Sequence, residues 1–127
     1  MELVYATILL ALIEYMVMAA LVGRARAKHG IGAPAMTGHP EFERANRVHV
    51  NTLECLIIFV PAVWIFATYQ SELYAAILGG AFVVGRALYA IGYLQAAEKR
   101  GIGAGLTGIA NIVLVVGGLI GVARALI

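Results

Sequence analysis

Charge is what this sequence has least of. Only 13% of its residues are charged against 62% hydrophobic, and its mean hydropathy is +0.92. A soluble domain carries roughly 25% charged and about 45–50% apolar residues, so a water-soluble globule is excluded and a multi-span membrane protein is indicated. A net charge of only +2 leaves no broad basic surface and excludes a nucleic-acid partner. Aspartate is absent, and all seven acidic residues are glutamate. A lone cysteine, Cys55, excludes an intramolecular disulfide and a multi-cysteine metal centre. No pair among the three histidines has metal-ligand spacing, so no metal is expected. Internal repeats and low-complexity tails are missing. So is a basic segment ahead of the first apolar run: Glu2 stands there, and the run is too long for a signal core, so it reads as the first span.

What is present is one all-α integral membrane domain over residues 1–127, a four-transmembrane-helix bundle with spans of ~20 residues and short connections. The spans are expected at about residues 3–22, 41–69, 73–97 and 106–126. Gly30, Gly32, Pro34, Gly38 and Pro40 mark the first connection as a loop, and Gly101, Gly103 and Gly105 mark the third as a tight, flexible turn. Pro61 removes a backbone donor inside span two and predicts a kink near Ile57. In span four, the Gly117 to Gly121 spacing favours close helix approach. Arg24, Arg26, Lys28, Lys99 and Arg100 lie in the first and third connections, whereas the second has no Lys or Arg. The positive-inside rule then places those two loops in the cytoplasm and both termini on the other side. The short Ala/Gly-rich chain without a retention tail leads us to expect a bacterial inner membrane.

Span two opens with charge. From Glu43, a further eleven residues at about 100° each bring Glu54 to within roughly 20° of the same line, with Arg47 and Asn51 between them. A charge at membrane depth costs about 2.5–3.5 kcal/mol on insertion scales, so such a stripe needs partners or a task. It is either a salt-bridge seam between helices or a polar ligand site. On span three, taking Arg86 as origin, Tyr89, Tyr93 and Arg100 all fall within about 60° of one line by the helical repeat. Both polar stretches lie at the cytoplasmic ends of their spans. Arginines bind carboxylates bidentately, and a glutamate pairs with an ammonium. The two faces suit a small zwitterion with several carboxylates and an amine, a peptide-like ligand ahead of an anionic lipid head group.

The stretch Glu43-Arg44-Ala-Asn-Arg47-Val-His-Val-Asn51-Thr-Leu-Glu54 resembles the signature of the MAPEG family, the membrane-associated proteins of eicosanoid and glutathione metabolism. Gly85-Arg86-Ala-Leu-Tyr89-Ala-Ile-Gly92-Tyr93 is similar to that family's third-helix motif. The resemblance implies four spans, assembly as a homotrimer with the site between neighbouring subunits, and glutathione as co-substrate. It implies that Arg47, Asn51 and Glu54 hold glutathione, that Tyr89 and Tyr93 add contacts, and that Arg26 is a further basic position of the site. Arg100 matches in spacing the arginine that stabilises the glutathione thiolate and is the implied catalytic residue. The implied activity is a microsomal-type glutathione transferase or peroxidase acting on a lipophilic electrophile or a lipid hydroperoxide in the membrane. Two departures stand out: Cys55 replaces the tyrosine of the leukotriene-forming synthases, which counts against leukotriene synthesis, and Pro61 lies further from Glu54 than the comparable family proline.

Two other readings compete. A non-catalytic MAPEG scaffold would bind glutathione or lipid without chemistry, although Arg100 argues for catalysis. A small proton-coupled multidrug exporter would use Glu14, the lone carboxylate of span one, but the arginines of span three would repel cationic cargo. Other residues read as structural. Glu14 is expected to pair with a polar group on a neighbouring helix, and Asn111 to hydrogen-bond between helices. Cys55 reads as a small core residue and His49 as a subunit-packing residue. His29 and His39 read as solvated loop residues, and Arg24, Lys28 and Lys99 as head-group anchors.

Overall fold

The computed structural model describes residues 1–127. Four long helices account for nearly all of them: α1 (Glu2–His29), α2 (Pro40–Tyr69), α3 (Glu72–Gln95) and α4 (Gly101–Leu126), with a single 3-10 turn at Ala97–Arg100. All four are long and apolar enough to cross a membrane. Of the 100 backbone hydrogen bonds, 91 lie inside these helices, so few main-chain polar groups would be left to hydrocarbon.

Local chemistry sets the boundaries. α1 stops where Gly30 takes a left-handed φ of 64°, open to glycine without a Cβ penalty, and its N–H closes back on Arg26 O. α2 starts with Pro40 in the first turn and with His39 as cap, its Nδ1 accepting the Glu41 N–H at 3.1 Å. Ser71 caps α3 by accepting the Tyr74 N–H at 3.2 Å. Pro61 does not interrupt α2, which is helical through Tyr69.

α1 and α4 each pack against both α2 and α3, which form the shared centre. The core runs along that centre through Leu56, Phe59, Val63, Phe82 and Leu114, with Phe59 and Phe82 stacked at 3.9 Å. Around it, large apolar side chains such as Met16, Ile57, Ile77 and Leu119 face outward. An apolar surface on every side would aggregate in water and is at home in lipid.

The third connection corrects the expectation of a flexible glycine turn at residues 101–105. Those glycines begin α4 and are helical. At Gly103 any Cβ would collide with the backbone of Tyr89 and the carbonyl oxygen of Gly85, so this glycine lets α4 lie directly on α3. The pattern serves close packing rather than flexibility. Gly117 and Gly121 behave as expected, bringing α4 against Phe66 and Tyr69 of α2.

Candidate functional site

A polar cavity of about 530 Å³ opens between α2, α3 and α4. Arg47, Asn51 and Cys55 line it from α2, Arg86, Tyr89 and Tyr93 from α3, Arg100 from the 3-10 turn, and Thr107 and Asn111 from α4. On α2, steps of four residues put Arg47, Asn51 and Cys55 on one face. On α3, Arg86 and Tyr89 are three apart, which lets the Arg86 guanidinium lie 4.1 Å over the Tyr89 ring.

Arg100 reaches the cavity by a route other than the helical stripe expected for it. α3 ends at Gln95, and Ala96 is extended with φ −164° and ψ 140°. The following turn folds back on α3 at Gly92, where a Cβ would strike the Lys99 carbonyl oxygen. The folded-back turn occupies the place a side chain at 92 would take, and glycine leaves that place open. The turn leaves Arg100 exposed at the cavity's rim, its guanidinium donating to Ala97 O at 2.8 Å and lying 5.9 Å from the Tyr93 ring.

Of the seven expected site residues, the cavity gathers Arg47, Asn51, Tyr89, Tyr93 and Arg100. Glu54 stands beside it, its carboxylate 3.6 Å from Arg47, with both side chains more than half exposed. Arg26 is elsewhere: its Nη1 donates to Ala35 O at 2.9 Å and its guanidinium caps the Phe42 ring at 4.6 Å. At the start of the charged stripe, the Glu43 carboxylate accepts the Gly38 N–H at 3.1 Å, so it ties down the first loop. Arg44 donates to Leu94 O at 3.2 Å and ties α2 to α3.

Arg86 was legible as polar but not as central. It is 1% exposed, with Nη1 3.0 Å from Asn51 Oδ1 and 2.9 Å from Cys55 Sγ. Its Nε and Nη2 have no hydrogen-bond partner in the chain. Glu14 Oε1 on α1 is buried without a hydrogen-bond partner, so the pairing expected of Glu14 with a neighbouring helix is not made within the chain. The signal in the sequence was an arginine deep in an apolar span.

Four smaller expectations resolve here. Asn111 donates from α4 to Cys55 O on α2 at 3.3 Å, the interhelical bond expected of it. Cys55 packs against the core as expected and also lines the cavity. The His49 ring stacks on Tyr15 at 4.5 Å, so its packing partner lies within the same chain. His29 and His39 are not free in solvent: their rings stack at 3.5 Å, and their nitrogens come within 4.8 Å of each other and of a Glu41 oxygen. Helix ends separated by a loop in sequence meet in space, which residue spacing alone does not reveal.

A second, apolar groove of about 450 Å³ runs between α2 and α4, lined by Ile58, Pro61, Ile65, Leu114 and Leu119 among others. Ile58 also lines the polar cavity, so the two lie next to each other along α2.

Comparison with known proteins places this geometry in context. An uncharacterized protein of Synechocystis sp. is 50% identical over 113 residues, 89% of this chain and 82% of the relative. Mouse microsomal glutathione S-transferase 2 is 46% identical over 79 residues, covering 62% of this chain and 54% of that protein. Guinea pig (Cavia porcellus) leukotriene C4 synthase is 38% identical over 77 residues, 61% of this chain and 51% of that protein. The alignment thus spans about half the length of these two named enzymes. Residues 3–120 match the MAPEG family, and on that match the chain, with its four helices suited to a membrane, belongs to the MAPEG family.

Proposed function

We propose that the protein is a membrane glutathione transferase. The observation that carries this reading is the convergence of Arg47, Asn51, Tyr89, Tyr93 and Arg100 on one cavity. Glutathione offers two carboxylates, an amine and a thiol. Arg47 and Asn51, with Glu54 beside them, supply the complementary cation, amide and anion. Tyr89 and Tyr93 wall the cavity from α3. Arg100 at the rim donates to the sulfur. A thiol with a pKa of about 8.5 is only slightly ionised at neutral pH, and a neighbouring cation raises the thiolate fraction. Each pKa unit of depression corresponds to about 1.4 kcal/mol of thiolate stabilisation. The thiolate then attacks an electrophilic carbon, or the peroxide oxygen of a lipid hydroperoxide, on a lipophilic molecule reaching it along the apolar groove that joins at Ile58.

The assembly in this reading is a homotrimer. Arg47 and Glu54 are 52% and 59% exposed on a helix whose neighbouring Leu53 and Ile57 also face outward. Charges left open at membrane depth are costly, and a second copy packed on this face covers them and brings further groups, Arg26 among them, to the site. The exporter reading loses support, because Arg47, Arg86 and Arg100 line the polar cavity, and fixed cations are poor neighbours for cationic cargo.

The test separates binding from chemistry. Arg47→Ala is expected to weaken glutathione binding by about 1.5–3 kcal/mol, the worth of a charge-assisted hydrogen bond. Arg100→Ala is expected to keep the ligand but lose thiolate absorbance and kcat with a generic aromatic electrophile. Unchanged absorbance and turnover in Arg100→Ala would remove Arg100 from the catalytic role. Wild-type protein that binds glutathione and never turns over would instead be a scaffold.

A further inference from the structure

His29 and His39 show no metal-ligand spacing along the chain, yet the first loop folds one onto the other. His29 closes α1 and His39 precedes α2, and their rings lie 3.5 Å apart and within 11° of parallel. Glu41, in the first turn of α2, brings a carboxylate to the same place. One donor atom from each of the three lies within 4.8 Å of the other two. The His29 and Glu41 side chains are 16% and 44% exposed, so the cluster is sheltered yet open to solvent at Glu41. The contacts on the carboxylate are long. His29 Nε2 is 3.3 Å from Oε2, and Lys28 Nζ is 3.2 Å from Oε2 and 3.3 Å from Oε1. A charge-assisted N–H···O bond usually measures about 2.7–2.9 Å. Two ligands of a tetrahedral zinc, each bonded at about 2.0–2.2 Å, stand roughly 3.3–3.5 Å apart. The separation of His29 from Glu41 already has that value.

We propose that His29, His39 and Glu41 bind a zinc-class divalent cation that ties the end of α1 to the start of α2. Imidazole nitrogen and carboxylate oxygen are both zinc ligands, and water takes the fourth position. The nitrogen pair selects against magnesium and calcium, which prefer oxygen throughout. His29 Nε2 and Glu41 Oε2 need little movement. Lys28 keeps Oε1 or turns to solvent, where its side chain is already 59% exposed. The rings must turn, because lone pairs in two parallel planes do not meet at one point. Histidine χ2 is a soft torsion, so that turn meets little resistance. His39 gives up more. Its Nδ1 accepts the Glu41 N–H at 3.1 Å. Coordination through Nδ1 uses that lone pair, and coordination through Nε2 puts the ring proton on Nδ1, so either ends the bond. One neutral hydrogen bond is exchanged for one metal ligand. The loop between the helices is held by Arg26 on Ala35 O and by Glu43 on the Gly38 N–H, and the ion adds a tie across its two ends. None of the three ligands lines the polar cavity, so the proposal stands apart from the glutathione reading.

The experiment uses the untagged full-length protein in nanodiscs, stripped of metal with a chelator and dialysed. Zinc is titrated by calorimetry and by competition with a chromophoric zinc indicator. One zinc per chain is expected, and excess magnesium should not displace it. His29→Gln, His39→Ser and Glu41→Gln should each weaken zinc binding by about tenfold or more, since even an outer partner of a metal ligand is worth about 10–100-fold in affinity. Serine at 39 keeps an oxygen for the α2 cap, so His39→Ser separates the lost ligand from a lost cap. His49→Gln, whose native ring stacks on Tyr15, and Cys55→Ala should bind zinc as the wild type does. Bound zinc should raise the thermal unfolding midpoint of the wild type and leave those of the three ligand variants where they are. The proposal is overturned if the wild type takes up no zinc, if magnesium displaces it, or if any one of the three ligand variants binds it unchanged. Loss of zinc in Cys55→Ala or His49→Gln, or a wild-type midpoint unmoved by bound zinc, overturns it as well.

Discussion

Arg86 and Glu14 are ionisable residues on two helices that pack together, each with a buried polar atom left without a hydrogen bond. Arg86 is fully buried on α3, and Glu14 on α1 is the carboxylate expected to compensate its charge. Removing one member of such a pair leaves an uncompensated charge in a medium that solvates it poorly, typically at a cost of about 3–5 kcal/mol. Glu14→Gln and Arg86→Gln are each expected to lower thermal stability in detergent, and the double variant to lose less than the sum. A coupling of about 0.5–3 kcal/mol is the expected size. Strict additivity would mean that the two residues do not sense each other. Arg86 also holds Asn51, so its variant should in addition weaken glutathione binding, whereas Glu14→Gln, which is not on the cavity wall, should not.

Helix contacts in this bundle depend on where side chains are absent. At Gly103 an added methyl group has no free space, since the Tyr89 backbone and the Gly85 carbonyl already fill it. At Gly108, five residues further along α4 and on another face, nothing lies within 4 Å of an added Cβ. Gly103→Ala should push α4 from α3 and cost about 1–3 kcal/mol, the usual penalty of overpacking. Gly108→Ala should be neutral or stabilising by up to about 1 kcal/mol, the difference in helix propensity. Midpoints of thermal unfolding followed by circular dichroism would separate the two. Equal midpoints would show that α3 and α4 do not bear on each other at Gly103. Gly103 also sits beside Tyr89, so its variant should disturb the cavity wall and lower glutathione affinity as well.

For the whole molecule, the expectations concern assembly and orientation. A homotrimer predicts a protein mass three times that of one chain, measured in detergent or nanodiscs with the bound detergent or lipid subtracted. A monomer or antiparallel dimer would remove the idea that a second copy covers Arg47 and Glu54. Orientation follows from the basic residues at the ends of α1 and in the turn before α4, against the Lys- and Arg-free turn between α2 and α3. In a Cys55→Ala background, an impermeant thiol reagent added outside the cell should label Ser71→Cys and miss Lys28→Cys. The reverse pattern would invert the topology and place the cavity's Arg100 rim on the other face.

By itself the sequence determined the class of the molecule and the helical registers of the residues that line the candidate site. Apolar runs of about 20 residues admit little besides membrane helices, and helical periodicity aligned Arg47 with Asn51, and Arg86 with Tyr89, because such registers depend only on neighbours along one helix. The motifs around Glu43–Glu54 and Gly85–Tyr93 carried the family. What only the tertiary structure decided is everything that depends on two helices meeting. The position of Arg100 rests on a chain reversal at Ala96 and on the room left by Gly92. The reading of Gly103 changed from turn to contact because its neighbour on α3 is invisible along the chain. The contact of Arg86 with Cys55, and the stacking of His29 on His39, join residues 31 and 10 positions apart. Packing chose those pairs, since side chains from separate helices share one space only once the bundle has closed.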